Sequence, residues 1–329
     1  MSRSLRVLQT DRAWPDSTIE REILAPVGAE LLEAPAIDES TLTALARDVD
    51  AIITNWARVT TAVVRGTSHC RVICRTGIGL DNIDVASATA LGIPVTNVPD
   101  YCVGEVADHA LALLLACARQ IGFFHLRTKK GEYRLQAAPP MPRLAGKVLG
   151  LIGLGRIGRS LAARARALGM EVVAHTPSGN AHGLDCRMVA LDELLERSDF
   201  VSLHAPLTEA TRHILGRPQF ERMKRSAWLI NTARGALVDH SDLANALEQN
   251  LIGGAALDVF DTEPPDLTAP LFRDERVIVT PHAAFVSEES LIELRTRVAR
   301  QVRDVLEGRR PECVVNPEAY SGRAPVASS

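Results

Sequence analysis

The chain has 329 residues, room for two domains at roughly 150 residues each, and its 46% hydrophobic and 23% charged composition excludes disorder and low-complexity architectures. Thirty-seven Lys and Arg against forty Asp and Glu leave a net charge of −3, so there is no general electrostatic drive toward nucleic acid or an anionic membrane. The six cysteines form no CxxC pair and no zinc-type spacing with His, so free thiols and no metal site are expected. The longest uninterrupted apolar run, residues 110–118, is about half the ~20 residues of a membrane span. Residues 1–9 lack the apolar core of a signal peptide, and a cytoplasmic location is expected.

In chain order, residues 5–8, 51–54, 72–74 and 94–97 are short apolar runs separated by helical patterns, the rhythm of a parallel sheet. A long helix is predicted after Pro99 and Asp100, because Val103, Val106, Ala107, Ala110, Leu111 and Leu114 recur at helical spacing; it carries the chain into a second domain. Residues 123–143 hold charges, Gly131 and the prolines 139, 140 and 142, and read as an irregular arm that packs on a partner, with Phe123, Phe124 and Tyr133 available for burial. Further strands are predicted at 147–153, 171–175, 200–204, 227–231, 254–257 and 277–280, a second doubly wound sheet. A helix over 287–307 opens on Ser287 and is followed by Gly308. From Asn316 onward the tail is small and polar and is expected to be disordered.

Within the second sheet, Gly153, Gly155 and Gly158 form GxGxxG between a predicted strand and a helix at 159–168. Gly153 allows the tight turn, Gly155 lets a pyrophosphate reach the backbone amides at the helix N-terminus, and Gly158 lets helix and strand pack closely. About 20 residues on, where an acid normally accepts hydrogen bonds from the adenosine ribose, the strand tip reads Ala174-His175-Thr176-Pro177-Ser178. With no carboxylate to repel a 2′-phosphate and no Arg to attract one, both NAD and NADP are admitted.

Three later strands are each followed by a group with chemistry: Asn231-Thr232-Ala233-Arg234-Gly235, Asp258 to Pro265 with Glu263, and Thr280-Pro281-His282. Carboxyl ends of parallel strands border the ligand crevice, so Arg234, Glu263 and His282 are expected to converge. Arg234 can grip a carboxylate and polarise a ketone with its planar fork of donors. His282 can supply the proton to a developing alkoxide, and an anionic Glu263 beside it would stabilise the imidazolium.

These motifs, together with Gly77-Ile78-Gly79-Leu80-Asp81-Asn82-Ile83-Asp84, Val106-Ala107-Asp108-His109, Leu144-Ala145-Gly146-Lys147 and His204-Ala205-Pro206-Leu207-Thr208, resemble the D-isomer-specific 2-hydroxyacid dehydrogenase family over nearly the whole chain. That family includes 3-phosphoglycerate dehydrogenases and glyoxylate or hydroxypyruvate reductases. The resemblance puts Arg234, Glu263 and His282 on the catalytic trio and Asp258 on the nicotinamide carboxamide. It puts the amides of Arg156 and Ile157 on the pyrophosphate, Thr232 and Ala233 on the nicotinamide side, and His204 and Pro206 on the cofactor side. It puts Ile78 and Gly79 on the substrate carboxylate. Thr176 departs from the usual acid, Asp108 stands where many members have Glu, and Ile78 differs from the Lys of phosphite dehydrogenases.

The implied fold is α/β, two Rossmann-like doubly wound parallel-sheet domains, with a dinucleotide-binding domain at 101–287 inserted into a discontinuous substrate domain at 1–100 and 288–329. Trp56, Arg58, Arg75, Tyr101 and Cys102 are candidates for the substrate side, and the arm resembles the one that clasps a second subunit in family dimers. The expected activity is interconversion of a D-2-hydroxy acid and its 2-oxo acid with NAD or NADP by a homodimer. The alternative is a nucleotide-sensing protein similar to the C-terminal-binding-protein corepressors, which share the fold and the trio.

Overall fold

Short strands with helical crossovers organise the chain in two sheets, and the computed structural model describes residues 3–137 and 139–321. Two units result, one made of the chain up to Tyr101 and from Ser287 onward, the other of Cys102–Val286.

In the first unit the strands are β1 (Leu5–Gln9), β2 (Ala29–Glu33), β3 (Ala51–Thr54), β4 (Val72–Arg75) and β5 (Val95–Thr96), interleaved with α1 (Thr18–Leu24), α2 (Glu39–Ala46), α3 (Thr61–Gly66) and α4 (Val85–Ala90). All pairings are parallel, in the order β2-β1-β3-β4-β5. Every residue of β3 and β4 is buried, as expected for strands covered on both faces. β2, by contrast, escapes the sequence pattern: only Leu31 on it is buried, because it forms the edge of the sheet.

The second unit opens with α5 (Val103–Ala118) and α6 (Ile121–Lys129). Its strands and helices then alternate: β6 (Val148–Ile152), α7 (Arg156–Ala167), β7 (Glu171–His175), β8 (Arg187–Met188), α8 (Leu191–Arg197), β9 (Phe200–Leu203), α9 (Arg217–Arg222), β10 (Trp228–Asn231), α10 (His240–Glu248), β11 (Gly254–Leu257), α11 (Pro270–Arg273) and β12 (Val277–Val279). The parallel order is β12-β11-β10-β9-β6-β7-β8. Alternation along β10 splits the core in two: Leu229 joins Leu203, Leu257 and Phe220 on one face, while Trp228 and Ile230 join Leu149, Leu151 and residues of α5 and α7 on the other. Among the described residues no single helix is long and apolar enough to cross a membrane.

Three expectations are corrected. The segment 123–143 is not irregular throughout, since its first part is α6; Gln120, at φ +53°, breaks α5 from it, and Gly131, at φ +89°, follows its end. The tail is ordered to residue 321: Asn316 is buried, accepts from the Val95 amide at 2.6 Å and donates to the Ile93 carbonyl at 3.0 Å and Thr89 Oγ1 at 2.8 Å, while Pro317–Tyr320 form a 3-10 turn. Expected disorder beyond that point lies outside the described residues. The helix placed at 159–168 begins earlier, at Arg156, directly on Gly155.

Back in the first unit, α12 (Glu288–Leu306) packs on α1 through a buried ion pair. Arg295 donates from Nε to Glu20 Oε1 at 2.9 Å and from Nη2 to Glu20 Oε2 at 2.7 Å, with its guanidinium 5.2 Å from the Trp14 ring. Glu20 is 1% exposed, so removal of its partner would strand a charge away from water. Arg295→Ala is therefore expected to cost about 3–5 kcal/mol in urea unfolding, and the double variant Glu20→Leu/Arg295→Met to recover most of it. A loss within experimental error in the single variant contradicts this account.

Candidate active site

The carboxyl ends of β6, β7, β9, β10, β11 and β12 lie along one edge of the second sheet, and the sequence-predicted residues of that unit sit in the loops that follow them. At the end of β6, Gly153 is at φ +98°, and a Cβ there would lie 2.6 Å from the His204 carbonyl carbon. A Cβ on Gly158 would lie 2.5 Å from the Gly153 oxygen, so the turn, the helix and the β9 loop touch backbone to backbone. Gly155 differs: a Cβ on it would meet nothing within 4 Å, and it is the N-cap of α7. Open space thus faces the first-turn amides of Arg156 and Ile157, with no acid in that turn. A helix end of this kind accepts a diphosphate.

At the β7 tip, His175 Nδ1 donates to the Val189 carbonyl at 3.1 Å, and Thr176 Oγ1 lies 3.3 Å from Ser178 Oγ. Hydroxyls stand where a ribose-binding acid is usual. His204 follows β9 with Nε2 2.9 Å from the Ser202 hydroxyl. Burial pushes its imidazole down to about 4, so it gives the Gly153 turn shape and no positive charge. Pro206 accepts from Thr211 Oγ1 at 2.7 Å.

Arg234 stands after β10 in a loop that Asn231 braces: its Oδ1 accepts from the Ala233 amide at 3.0 Å and its Nδ2 donates to the Arg234 carbonyl at 2.8 Å. Thr232 is buried in the same loop, and its hydroxyl has no hydrogen-bond partner among the described residues. That orphaned group and the open helix end are two places where the chain's own polar atoms fit a dinucleotide. Gly235 is required for a different reason. A Cβ there would come within 1.9 Å of the Phe260 carbonyl carbon, so only glycine lets the Arg234 loop lie against the loop that carries Glu263.

Glu263 Oε1 accepts from the Phe260 amide at 2.9 Å, and Oε2 lies 2.7 Å from His282 Nδ1. Burial opposes ionisation of this carboxyl, but the His282 hydrogen bond and charge, the Phe260 amide and the Arg234 guanidinium outweigh it and hold the group below the usual carboxylate range. Glu263 is therefore an acceptor, Nδ1 carries the proton of their hydrogen bond, and Nε2 is the ring position left to exchange one. The His282 ring packs edge-on against Phe285 at 6.0 Å, and its backbone is held in the left-handed region at φ +53°. For a residue with a Cβ this conformation is strained and needs support.

Asp258 supplies that support. Its carboxylate is wholly buried and accepts from Thr280 Oγ1 at 2.5 Å and from the Ala283 and Ala284 amides at 2.9 Å each, while its carbonyl accepts from the His282 amide at 2.8 Å. In the structure these contacts also shape the His282 loop, with three donors on a carboxylate that has about four acceptor sites. His109 on α5, quoted only as part of a motif, reaches the same network, with Nε2 3.0 Å from Thr280 Oγ1. No sequence spacing relates residues 109, 258 and 280.

In the first unit Ile78 and Gly79 follow β4, and the Ile78 carbonyl accepts from Asn97 Nδ2 at 2.8 Å. Arg75, proposed as a lining residue, is only 8% exposed and donates to Asn82 Oδ1 at 3.2 Å and Asn55 Oδ1 at 3.3 Å, holding the turn between β4 and α4. Tyr101 and Cys102 are buried, and Trp56 and Arg58 are exposed.

Residues 111–284 match the family model described as D-isomer specific 2-hydroxyacid dehydrogenase, NAD binding domain. The chain is 38% identical over 287 residues to a glyoxylate reductase of Korarchaeum cryptofilum, covering 85% of this chain and 86% of that one. It is 39% identical over 317 residues to a D-3-phosphoglycerate dehydrogenase of Methanocaldococcus jannaschii, covering 95% of this chain but only 59% of that longer relative. Among solved structures, an NADPH-dependent glyoxylate/hydroxypyruvate reductase from Sinorhizobium meliloti, in complex with NADP and malonate, superposes with a TM-score of 0.86 at 30% identity over 96% of this chain and 98% of that one. An open helix end for a diphosphate, an imidazole backed by a carboxylate and a guanidinium on the neighbouring loop thus sit on a matching sequence and fold, and the chain belongs to the D-isomer specific 2-hydroxyacid dehydrogenase family.

Proposed function

We propose that the protein reduces 2-oxo acids to D-2-hydroxy acids, and catalyses the reverse, with a nicotinamide dinucleotide as hydride carrier, and that Arg234, Glu263 and His282 carry the reaction. The single observation behind this reading is the 2.7 Å His282 to Glu263 hydrogen bond in a loop next to that of Arg234. Gly153, Gly155, the amides of Arg156 and Ile157, Gly158, His175, Thr176, His204, Pro206, Thr232 and Ala233 would hold the cofactor, which supplies or accepts the hydride when bound. Asp258, whose carboxylate also shapes the His282 loop, is proposed to meet the nicotinamide carboxamide.

In the reductive direction Arg234 binds the substrate carboxylate with its planar donors and draws electron density toward the ketone oxygen. His282 gives its Nε2 proton to the oxygen as negative charge develops there, and Glu263 stabilises the ring while it is charged. Oxidation runs the same steps backward, with Nε2 taking the hydroxyl proton. Ile78 and Gly79 are proposed to bind substrate from the first unit. Small 2-oxo acids such as glyoxylate and hydroxypyruvate are the first candidates, because relatives bear those names. The same reading places the enzyme in the cytoplasm, a compartment supplied with nicotinamide nucleotides.

The acid-base assignment is tested by kcat/KM against pH in both directions. Glu263→Gln keeps the shape but removes the charge that favours the protonated ring. Reduction should then fail at a lower pH than in the parent, and oxidation should switch on at a lower pH. Unchanged limbs in both directions defeat the assignment.

Cofactor choice is tested at the β7 tip. Thr176→Asp places a negative charge where a 2′-phosphate would lie, so the ratio of kcat/KM with NADPH to that with NADH should fall about tenfold or more. A ratio that stays put means the tip does not meet the ribose.

We also propose a homodimer. Ile121 and Leu126 on α6 and Tyr133 and Leu135 beyond it are 54%, 56%, 93% and 71% exposed, an apolar stretch that water leaves unpartnered. Sedimentation at micromolar concentration should give twice the 35.6 kDa protomer mass, with Leu126→Glu/Leu135→Glu shifting it to monomer. A parent that sediments as a single protomer removes the dimer.

A further inference from the structure

We propose that His109 is a positioning residue for this reaction: from α5 it holds, through Thr280 and Asp258, the loop that presents His282. The inference rests on the role proposed for His282 and extends it to a side chain on another element. Asp258 is 0% exposed, and its two carboxylate oxygens already receive the Ala283 and Ala284 amides. The Thr280 hydroxyl has one proton, and it goes to Asp258 Oδ1 at 2.5 Å. The 3.0 Å contact between Thr280 Oγ1 and His109 Nε2 therefore has a single consistent direction, with Nε2–H donating and the hydroxyl oxygen accepting. Nε2 also lies 3.6 Å from Asp258 Oδ1.

The result is a directed chain, His109 Nε2–H to Thr280 Oγ1–H to Asp258, that ends on the two amides directly after a strained residue. His282 sits between Thr280 and Ala283 with φ +53°, a conformation its own side chain disfavours and its surroundings must impose. Three restraints impose it: the His282 amide to the Asp258 carbonyl at 2.8 Å, the Ala283 and Ala284 amides to the Asp258 carboxylate, and the Thr280 side chain. The first two tie the loop to the end of β11, where Asp258 stands. Only the third is also tied to α5, and His109 is that tie. α5 is itself fixed by Ala107, Ala110 and Leu114 in the core against α7, so the anchor is rigid. A catalytic imidazole displaced by about an ångström loses rate without losing ligand affinity, which is the signature sought.

The test uses the full-length enzyme, with the 2-oxo acid it turns over fastest among glyoxylate, hydroxypyruvate, pyruvate and oxaloacetate. His109→Leu removes the donor and Thr280→Val removes the bridge, each at similar volume. Each should lower kcat about tenfold or more with KM and the NADH Kd changed less than about twofold. The double variant should lose no more than either single one, because both cut one chain. His109→Gln, whose amide N–H can occupy the Nε2 position, should restore kcat to within about threefold of the parent. Independently of turnover, hydrogen exchange in peptides spanning 280–286 should be faster in the Leu and Val variants and parent-like in the Gln variant. Unchanged kcat and exchange in His109→Leu overturn the proposal, as do multiplicative losses in the double variant or a Gln variant no better than Leu. If the parent reduces none of these acids with NADH or NADPH, the proposed function fails, and the exchange data alone then decide whether His109 orders the loop.

Discussion

Parallel pairing is the constraint on which the site depends. Because every strand of the second sheet runs the same way, six successive carboxyl ends open on one edge, and each contributes a loop there. The order β12-β11-β10-β9-β6-β7 places the loops of Arg234, Glu263 and His282 on adjacent strands and the glycine turn after β6. Hydrophobic alternation drives this arrangement: Trp228, Leu229 and Ile230 each face a core cluster, so β10 is locked in register by burial on both sides. The polar chemistry begins where the apolar run ends, at Asn231, which is itself fully buried.

Close approach of backbone is the second recurring device. Gly153, Gly158 and Gly235 are places where a single carbon would collide with a neighbouring loop, and each collision would fall between two parts of the site. Gly155 is glycine for the opposite reason, with space left open in front of it. The site is thus built by backbone contact in some positions and by withheld volume in another.

Charge is handled by enclosure and pairing. Asp258 has no exposed surface, and its carboxylate is satisfied by a hydroxyl and two amides. Glu263 remains partly exposed and pairs with His282, so one carboxylate acts as a structural acceptor and the other as an electrostatic partner. Two acids five residues apart therefore do different work because their surroundings differ.

The sequence by itself determined the α/β class, nearly every buried strand, and that the glycine turn, Arg234, Glu263 and His282 each follow a strand of the second sheet, since each rests on a local pattern: alternation, glycine spacing, or a polar group directly after an apolar run. It missed β2 and β8, whose strands have too few buried residues to print a pattern, and it read α6 as irregular because the charges and Gly131 around it obscured a helix. It also read the polar run from Asn316 as a loose tail, although one buried amide side chain fastens it to residues 89–95. Only the tertiary structure decided that Asp258 shapes the His282 loop, that His109 reaches Thr280 and that Arg75 is occupied in bracing its own turn. Those contacts join residues whose separation along the chain bears no relation to their distance in space, and packing of whole elements, not any local preference, brings them together.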